Sequence, residues 1–160
     1  MMNQTLIVLG FAAAIGSGVM GGFFLAFSIV VMASLARRPA PEGMATMQAI
    51  NAVVLNALFF SFFFGTAAIC LVLTAMAIAG SSPLNAALTV LGSLAYLVGC
   101  IGVTVARNVP LNNALAIADP QSPAGAALWS RYLVAWTQWN HLRTAACMVA
   151  AVAFTLCLYR

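Results

Sequence analysis

The chain has 160 residues, is 64% hydrophobic and only 5% charged, and carries a formal net charge of +4 from six arginines against Glu42 and Asp119. Soluble domains are about 25% charged, so a water-facing surface cannot be built from this composition and the solvent must be lipid. The arginines (Arg37, Arg38, Arg107, Arg131, Arg143 and Arg160) are scattered along the chain, which argues against a nucleic-acid-binding surface.

Nothing from Met1 to Ala36 is charged. A membrane span needs about 20 predominantly apolar residues, and residues 5–36 supply the first. The leading Met1-Met2-Asn3-Gln4 has no basic residue, and the apolar run is too long for a secretory signal, so a retained span is expected. Gly18 and Gly22 stand at GxxxG spacing. That spacing lets two helices approach closely, within one chain or between copies in a homo-oligomer, or leaves room for a flat ligand. Arg37, Arg38 and Glu42 follow.

A second uncharged run, 43–106, is long enough for two spans. Gly80-Ser81-Ser82-Pro83 breaks it, because these are turn residues and Pro83 disfavours helix at the preceding position. The predicted spans are therefore 43–79 and 84–106. The fourth is predicted over 127–159, its span supplied by Leu133 to Tyr159 with a polar first half. The expected fold is all-α, a single domain over 1–160 forming a transmembrane four-helix bundle. Arg37 and Arg38 follow the first span, and Arg107 and Arg131 lie between the third and fourth, whereas the 80–85 turn is uncharged. Arginine-bearing loops stay cytoplasmic, which places both termini on the non-cytoplasmic side, with Arg160 as the exception. A multi-pass protein of a bacterial inner (plasma) membrane is expected, with lipid as its immediate partner.

Cys70, Cys100, Cys147 and Cys157 all fall inside predicted spans and form no CxxC pair. They read as small packing residues. The absence of CxxCH excludes covalent haem attachment. No Asp or Glu lies within a span, which counts against a proton-driven transporter with an intramembrane carboxylate relay.

Polar residues within spans are costly in lipid and usually face the bundle interior. Counting along the helices puts Gln48, Asn51 and Asn56 near the cytoplasmic end of the second span. Arg107, Asn108 and Asn112 fall at the end of the third, and Trp136, Trp139, Asn140, His141 and Arg143 in the first turns of the fourth. Three helices thus bring polar side chains to one depth, and a pocket near the cytoplasmic interface is expected. Trp129, Tyr132, Trp136 and Trp139 equally suit interfacial anchors. At about 100° per residue, Trp136, Asn140, Arg143 and Cys147 share one helix face and His141 points away from Arg143. Two cavities, a partner-facing residue or a ligand that wraps the helix would each reconcile them.

Several blocks resemble the anthrone-oxygenase-like family of small four-helix membrane proteins. They are Phe23-Phe24-Leu25-Ala26-Phe27-Ser28, Met47-Gln48-Ala49-Ile50-Asn51, Arg107-Asn108-Val109-Pro110-Leu111-Asn112, and Trp136-Thr137-Gln138-Trp139-Asn140-His141-Leu142-Arg143. The resemblance runs from about Gly16 to Ala150. It implies oxidation of a small hydrophobic, anthrone- or phenol-like aromatic with molecular oxygen. In a cofactor-free version His141 is the base, Arg107, Arg143, Asn108 and Asn140 stabilise an enolate or peroxide anion, and Trp136 and Trp139 stack on the ring. Asn112, Gln48 and Asn51 complete the ligand-binding set. In a second version His141 is an axial ligand to haem iron, with Met20, Met32, Met47 or Met148 as a second ligand. A third reading is a non-catalytic lipid- or quinone-binding module or an assembly subunit.

Overall fold

The computed structural model describes residues 4–82 and 84–159. Met1, Met2, Asn3, Pro83 and Arg160 lie outside the described residues. So do the roles expected of the N-terminal tail, the proline break and the terminal charge. Among the described residues every regular element is helical. We number them α1 (Gln4–Leu35), α2 (Ala40–Val53), α3 (Ala57–Ile78), α4 (Ala86–Ala116) and α5 (Pro123–Leu158). Four of these, α1, α3, α4 and α5, are long and apolar enough to cross a membrane, making this an all-α, multi-pass membrane protein. Each packs on two others in the order α1–α3–α4–α5–α1, with α1 against α5 the longest seam.

Three boundaries differ from the sequence-based expectation, each for a local reason. The run 43–79 is not one helix. Asn56 is extended, and its side chain accepts a hydrogen bond from Phe59 N, an N-cap that satisfies one of the free donors of a new helix. The span therefore starts at Ala57, and residues 40–53 form the separate helix α2. The third span does not stop at 106 but runs on through Arg107 and Asn108 to Ala116. A π-helical turn, Thr104–Asn108, ends two residues before Pro110. Its wider i→i+5 turn relieves the clash a proline ring makes with the carbonyl four residues back. Arg107 is thus a helix residue and not a loop residue. The last helix starts at Pro123, earlier than 127, because Ser122 caps it by accepting from Gly125 N and Pro123 suits the first turn.

The bundle has two cores. The larger fills the apolar half of the spans with Phe24, Phe63, Cys70, Tyr96, Cys100, Cys147 and Phe154 among its members. All four cysteines pack here as buried side chains. The smaller core closes the arginine-bearing end, where α2 covers the ends of α1, α4 and α5 through Met44, Met47, Leu115, Trp129, Tyr132 and Trp136. Trp129, Tyr132 and Trp136 are 2%, 1% and 4% exposed, so they are core residues and not interfacial anchors. Their rings stack in a ladder, 5.6 Å and 6.1 Å apart at 18° and 23°. Facing outward are Val8, Ile15, Ile29, Leu71, Val98 and Val152, an apolar surface suited to lipid.

Close approach depends on glycines other than the expected pair. A Cβ at Gly16 would collide with Thr66 Oγ1 on α3, and one at Gly99 with Ala146 Cβ on α5. At Gly18 and Gly22 a Cβ meets nothing within 4 Å, so the GxxxG pair makes no close seam within this chain. The reason is register: Gly16 and Gly21 are buried, while Gly22 is exposed.

We expect Gly16→Ala and Gly99→Ala each to destabilise the bundle by about 1–3 kcal/mol through overpacking. Gly18→Ala and Gly22→Ala should be neutral or stabilising, by up to about 1 kcal/mol of helix propensity. Thermal unfolding in mild detergent ranks the four; equal losses at all of them would contradict this packing.

Candidate functional site

The inward stripe of α5 recurs every three or four residues: Trp129, Tyr132, Trp136, Asn140, Arg143, Cys147, Ala150, Phe154 and Cys157. A polar pair interrupts it near the middle of a 36-residue helix. Asn140 is 0% exposed and Arg143 4%. The question of which face of this helix is internal is therefore decided for Asn140 and Arg143.

Arg143 Nη1 donates to Thr104 Oγ1 at 3.2 Å and Nη2 to Asn140 Oδ1 at 2.6 Å. Its guanidinium lies 4.2 Å from the Phe24 ring and 5.1 Å from the Trp136 ring. Both separations are within cation–π range. Asn140 Nδ2 donates to Phe24 O and to Ser28 Oγ, each at 2.7 Å. Thr104 Oγ1 in turn donates to Cys100 O at 2.7 Å. One chain of hydrogen bonds thus runs from α1 through α5 to α4. Every acceptor in it is neutral. The two carboxylates are elsewhere: Glu42 pairs with Arg38 at 3.4 Å on the surface, and Asp119 accepts from Gln121 N in a loop. A buried guanidinium without a carboxylate is expensive. Two of its polar neighbourhood's atoms are also buried without a partner, Arg143 Nε and Asn108 Oδ1.

Apart from Phe24, which lies in the regular α-helical part of α1, the partners on α1 and α4 sit on π-helical turns. Ser28 belongs to Phe27–Val31, Cys100 to Ala95–Gly102, and Thr104 and Asn108 to Thr104–Asn108. A π turn adds a residue to the helical turn, which shifts the facing of later side chains by about 100° relative to an α-helix. Such turns are frequent at functional sites. Asn108 is 1% exposed and its Nδ2 donates to Trp136 O at 3.2 Å, which puts it beside the Arg143 cluster.

The remaining polar residues divide into three groups. Asn112 Oδ1 accepts from both Tyr132 Oη and Trp136 Nε1 at 2.8 Å, so it anchors the aromatic ladder. Gln48 Nε2 donates to Leu115 O and Ala118 O at the end of α4, and Asn51 Nδ2 reaches Tyr132 Oη at 3.5 Å. Both lie on α2, outside the spans, and pin that helix down. Arg107 is exposed and lies 4.8 Å over the Trp139 ring.

His141 is exposed on the outer face of α5, away from Asn140 and Arg143. It can serve as base or ligand only for a molecule on that face. Met20, Met32 and Met47 are buried in the two cores, whereas Met148 is 37% exposed. These residues do not fit a haem enclosed within one copy of this chain and held by His141. Ser28, Thr104 and Phe24 complete the cluster without having been singled out from the sequence. Ser28 closes the Phe23–Ser28 block, but a hydroxyl on an apolar helix has no signature of its own.

A groove of about 560 Å³ lies beside this cluster, between α1, α2 and α3. The rings of Phe23, Phe27, Phe59 and Phe62 form much of its wall. Phe27 also touches Trp136, with ring centres 5.8 Å apart.

Removing an acceptor from a buried cation should cost more than removing both. Asn140→Leu is expected to lose about 3–5 kcal/mol, and adding Arg143→Met should restore part of that loss. Thermal unfolding of the single and double variants measures the coupling; losses that simply add would show that the two side chains act independently.

No curated protein and no solved structure matches this chain. The anthrone oxygenase family model matches residues 58–153, from the start of α3 into the last third of α5. That segment contains Thr104, Arg107, Asn108, Asn112, Trp136, Trp139, Asn140, His141 and Arg143, while Phe24, Ser28, Gln48 and Asn51 lie outside it. With more than half of its residues matched, the chain belongs to the anthrone oxygenase family.

Proposed function

We propose that this protein is an oxygenase of a bacterial inner membrane that oxidises a small hydrophobic, anthrone- or phenol-like aromatic with molecular oxygen. For an anthrone, the ring methylene becomes a carbonyl. The carbon loses two hydrogens and gains one oxygen atom, and the other atom of O2 leaves as water.

The observation that carries this reading is Arg143, a guanidinium 4% exposed with only neutral acceptors, in a chain of this family. Loss of the acidic C–H proton converts the substrate to an enolate. Its negative oxygen is the partner Arg143 lacks in the resting protein. A fixed cation in a low-dielectric site stabilises a charge that develops during reaction far more than it would in water. A permanent carboxylate would cancel that advantage. Stabilising the enolate also lowers the substrate's own pKa, so the proton can pass to water. The electron-rich carbon then bonds to O2, and loss of hydroxide from the resulting peroxide, with the remaining C–H proton, gives the carbonyl. Asn140 keeps the guanidinium oriented, and the Trp136 and Phe24 rings wall the site around it. Arg107, exposed over the Trp139 ring, stands outside the buried cluster.

Oxygen consumption above the uncatalysed rate, with anthrone and purified protein in nanodiscs, tests this. Arg143→Met should lower kcat by about 10²–10³, the scale of a lost oxyanion donor, with Arg143→Lys in between. His141→Ala should stay within about threefold of the parent, because a side chain outside the reacting site contributes no acid–base step. A correctly folded Arg143→Met protein with parental turnover would sink the assignment. Loss of turnover in His141→Ala would move the chemistry to the outer face of α5.

A further inference from the structure

The groove between α1, α2 and α3 has a lining that specifies its occupant. Its wall carries four phenylalanine rings and no charged residue. Phe23 lies 4.9 Å from Phe27 and 5.6 Å from Phe59, tilted by 44° and 53°. Thr46 and Asn56 are the polar side chains of the lining, and both are already engaged. Thr46 Oγ1 donates to Glu42 O at 2.8 Å. Asn56 donates to Val53 O and accepts from Phe59 N, each at 3.0 Å. Any headgroup or ionised molecule placed there would lose its hydration without compensation. A neutral molecule that presents ring faces and edges would lose nothing and gain aromatic contacts. The volume, about 560 Å³, falls in the range of drug-sized ligand pockets, ~300–1,000 Å³.

The groove is open on the flank of the bundle, where Val53 and Leu58 of its lining are 74% and 70% exposed. On its inner side it stops one layer of rings short of Arg143. Phe23 lines the groove and packs against Phe24 at 5.7 Å, and Phe24 lies against the guanidinium. Phe27 lines the groove and touches Trp136, and its neighbour Ser28 accepts from Asn140.

We infer that this groove is the intake through which a neutral, planar, fused-ring aromatic dissolved in the bilayer enters the protein laterally and comes to rest beside Arg143. The inference deepens the oxygenase reading and rests on it only for the destination, not for binding in the groove.

Photolabelling with an azido-anthraquinone, competed by unlabelled anthraquinone, tests it in nanodiscs. Competed labels should fall on the groove's lining, residues 19–27 of α1, 46–54 and 56–62. Ala49→Trp, which places a ring in the groove, should weaken competition by at least about tenfold, equivalent to ~1.4 kcal/mol. Ile29→Trp, on the lipid-facing side of α1, should leave it unchanged. Unaltered labelling in Ala49→Trp would overturn the intake, as would labels elsewhere. So would a phospholipid seen by native mass spectrometry that saturating anthraquinone does not displace. The two proposals fail separately. Parental oxygen consumption in Ala49→Trp removes the groove and leaves the oxygenase; groove labelling with no oxygen consumption removes the oxygenase and leaves the groove.

Discussion

A single guanidinium, buried inside a membrane bundle with no carboxylate beside it, sets the terms for the rest of this structure. Arg143 must be held by neutral groups, so uncharged oxygen atoms have to be brought to it. Asn140 does this from the same helix and ties in α1 through the Phe24 carbonyl and Ser28. Thr104 does it from α4 and passes the polarity on to a backbone carbonyl. Two ring faces supply the electrostatic attraction that a carboxylate would otherwise give. Because each of these groups sits on a different part of the bundle, the arrangement also fixes how α1, α4 and α5 are rotated relative to one another.

The π-helical turns make that geometry attainable. An unbroken α-helix presents one fixed face, and packing of the apolar core already determines which face α1 and α4 turn inward. Widened turns at Phe27–Val31 and along Ala95–Asn108 let the same helices pack apolar residues at one level and offer Ser28, Thr104 and Asn108 at the next. The second core below them, closed by α2 and the Trp129–Tyr132–Trp136 ladder, seals the polar level from that end of the bundle. Gln48, Asn51 and Asn112 serve this closure. The groove that opens on the flank is bounded by the same helix α2, so one short segment both caps the bundle and shapes that groove.

Several residues show where a sequence is and is not readable. The grouping on α5 was legible: Trp136, Asn140, Arg143 and Cys147 fall on one face by helical spacing alone, and the structure buries all four. The opposite pointing of His141 and Arg143 was legible too, but not which of them faces inward. Both are polar, and helical periodicity gives relative angles without an origin; the packing of α1 against α5 supplies it. The division of 43–79 into α2 and α3 was hidden because no charged residue, glycine or proline marks residues 52–58, and the extended backbone at Asn56 reveals the cap. Gly18 and Gly22 carried a recognised spacing, yet Gly16 and Gly99 make the close approaches, since a motif specifies a pair of positions and not the side of the helix that meets a neighbour.

Composition and charge placement by themselves determined that the chain lives in lipid, crosses it with four helices and belongs among all-α bundles. Those properties follow from transfer free energies and helix length, which are sums over segments and need no knowledge of neighbours. Its family blocks also contained Phe24, Ser28, Asn108, Asn140 and Arg143 of the buried polar cluster. Only the tertiary structure decided that Arg143 is enclosed and His141 is not, that Ser28, Thr104 and Phe24 are its partners, and that an aromatic groove lies one ring layer away. Each of these depends on residues far apart in the chain meeting at a defined rotation and depth, and that rotation is settled only when all the helices pack at once.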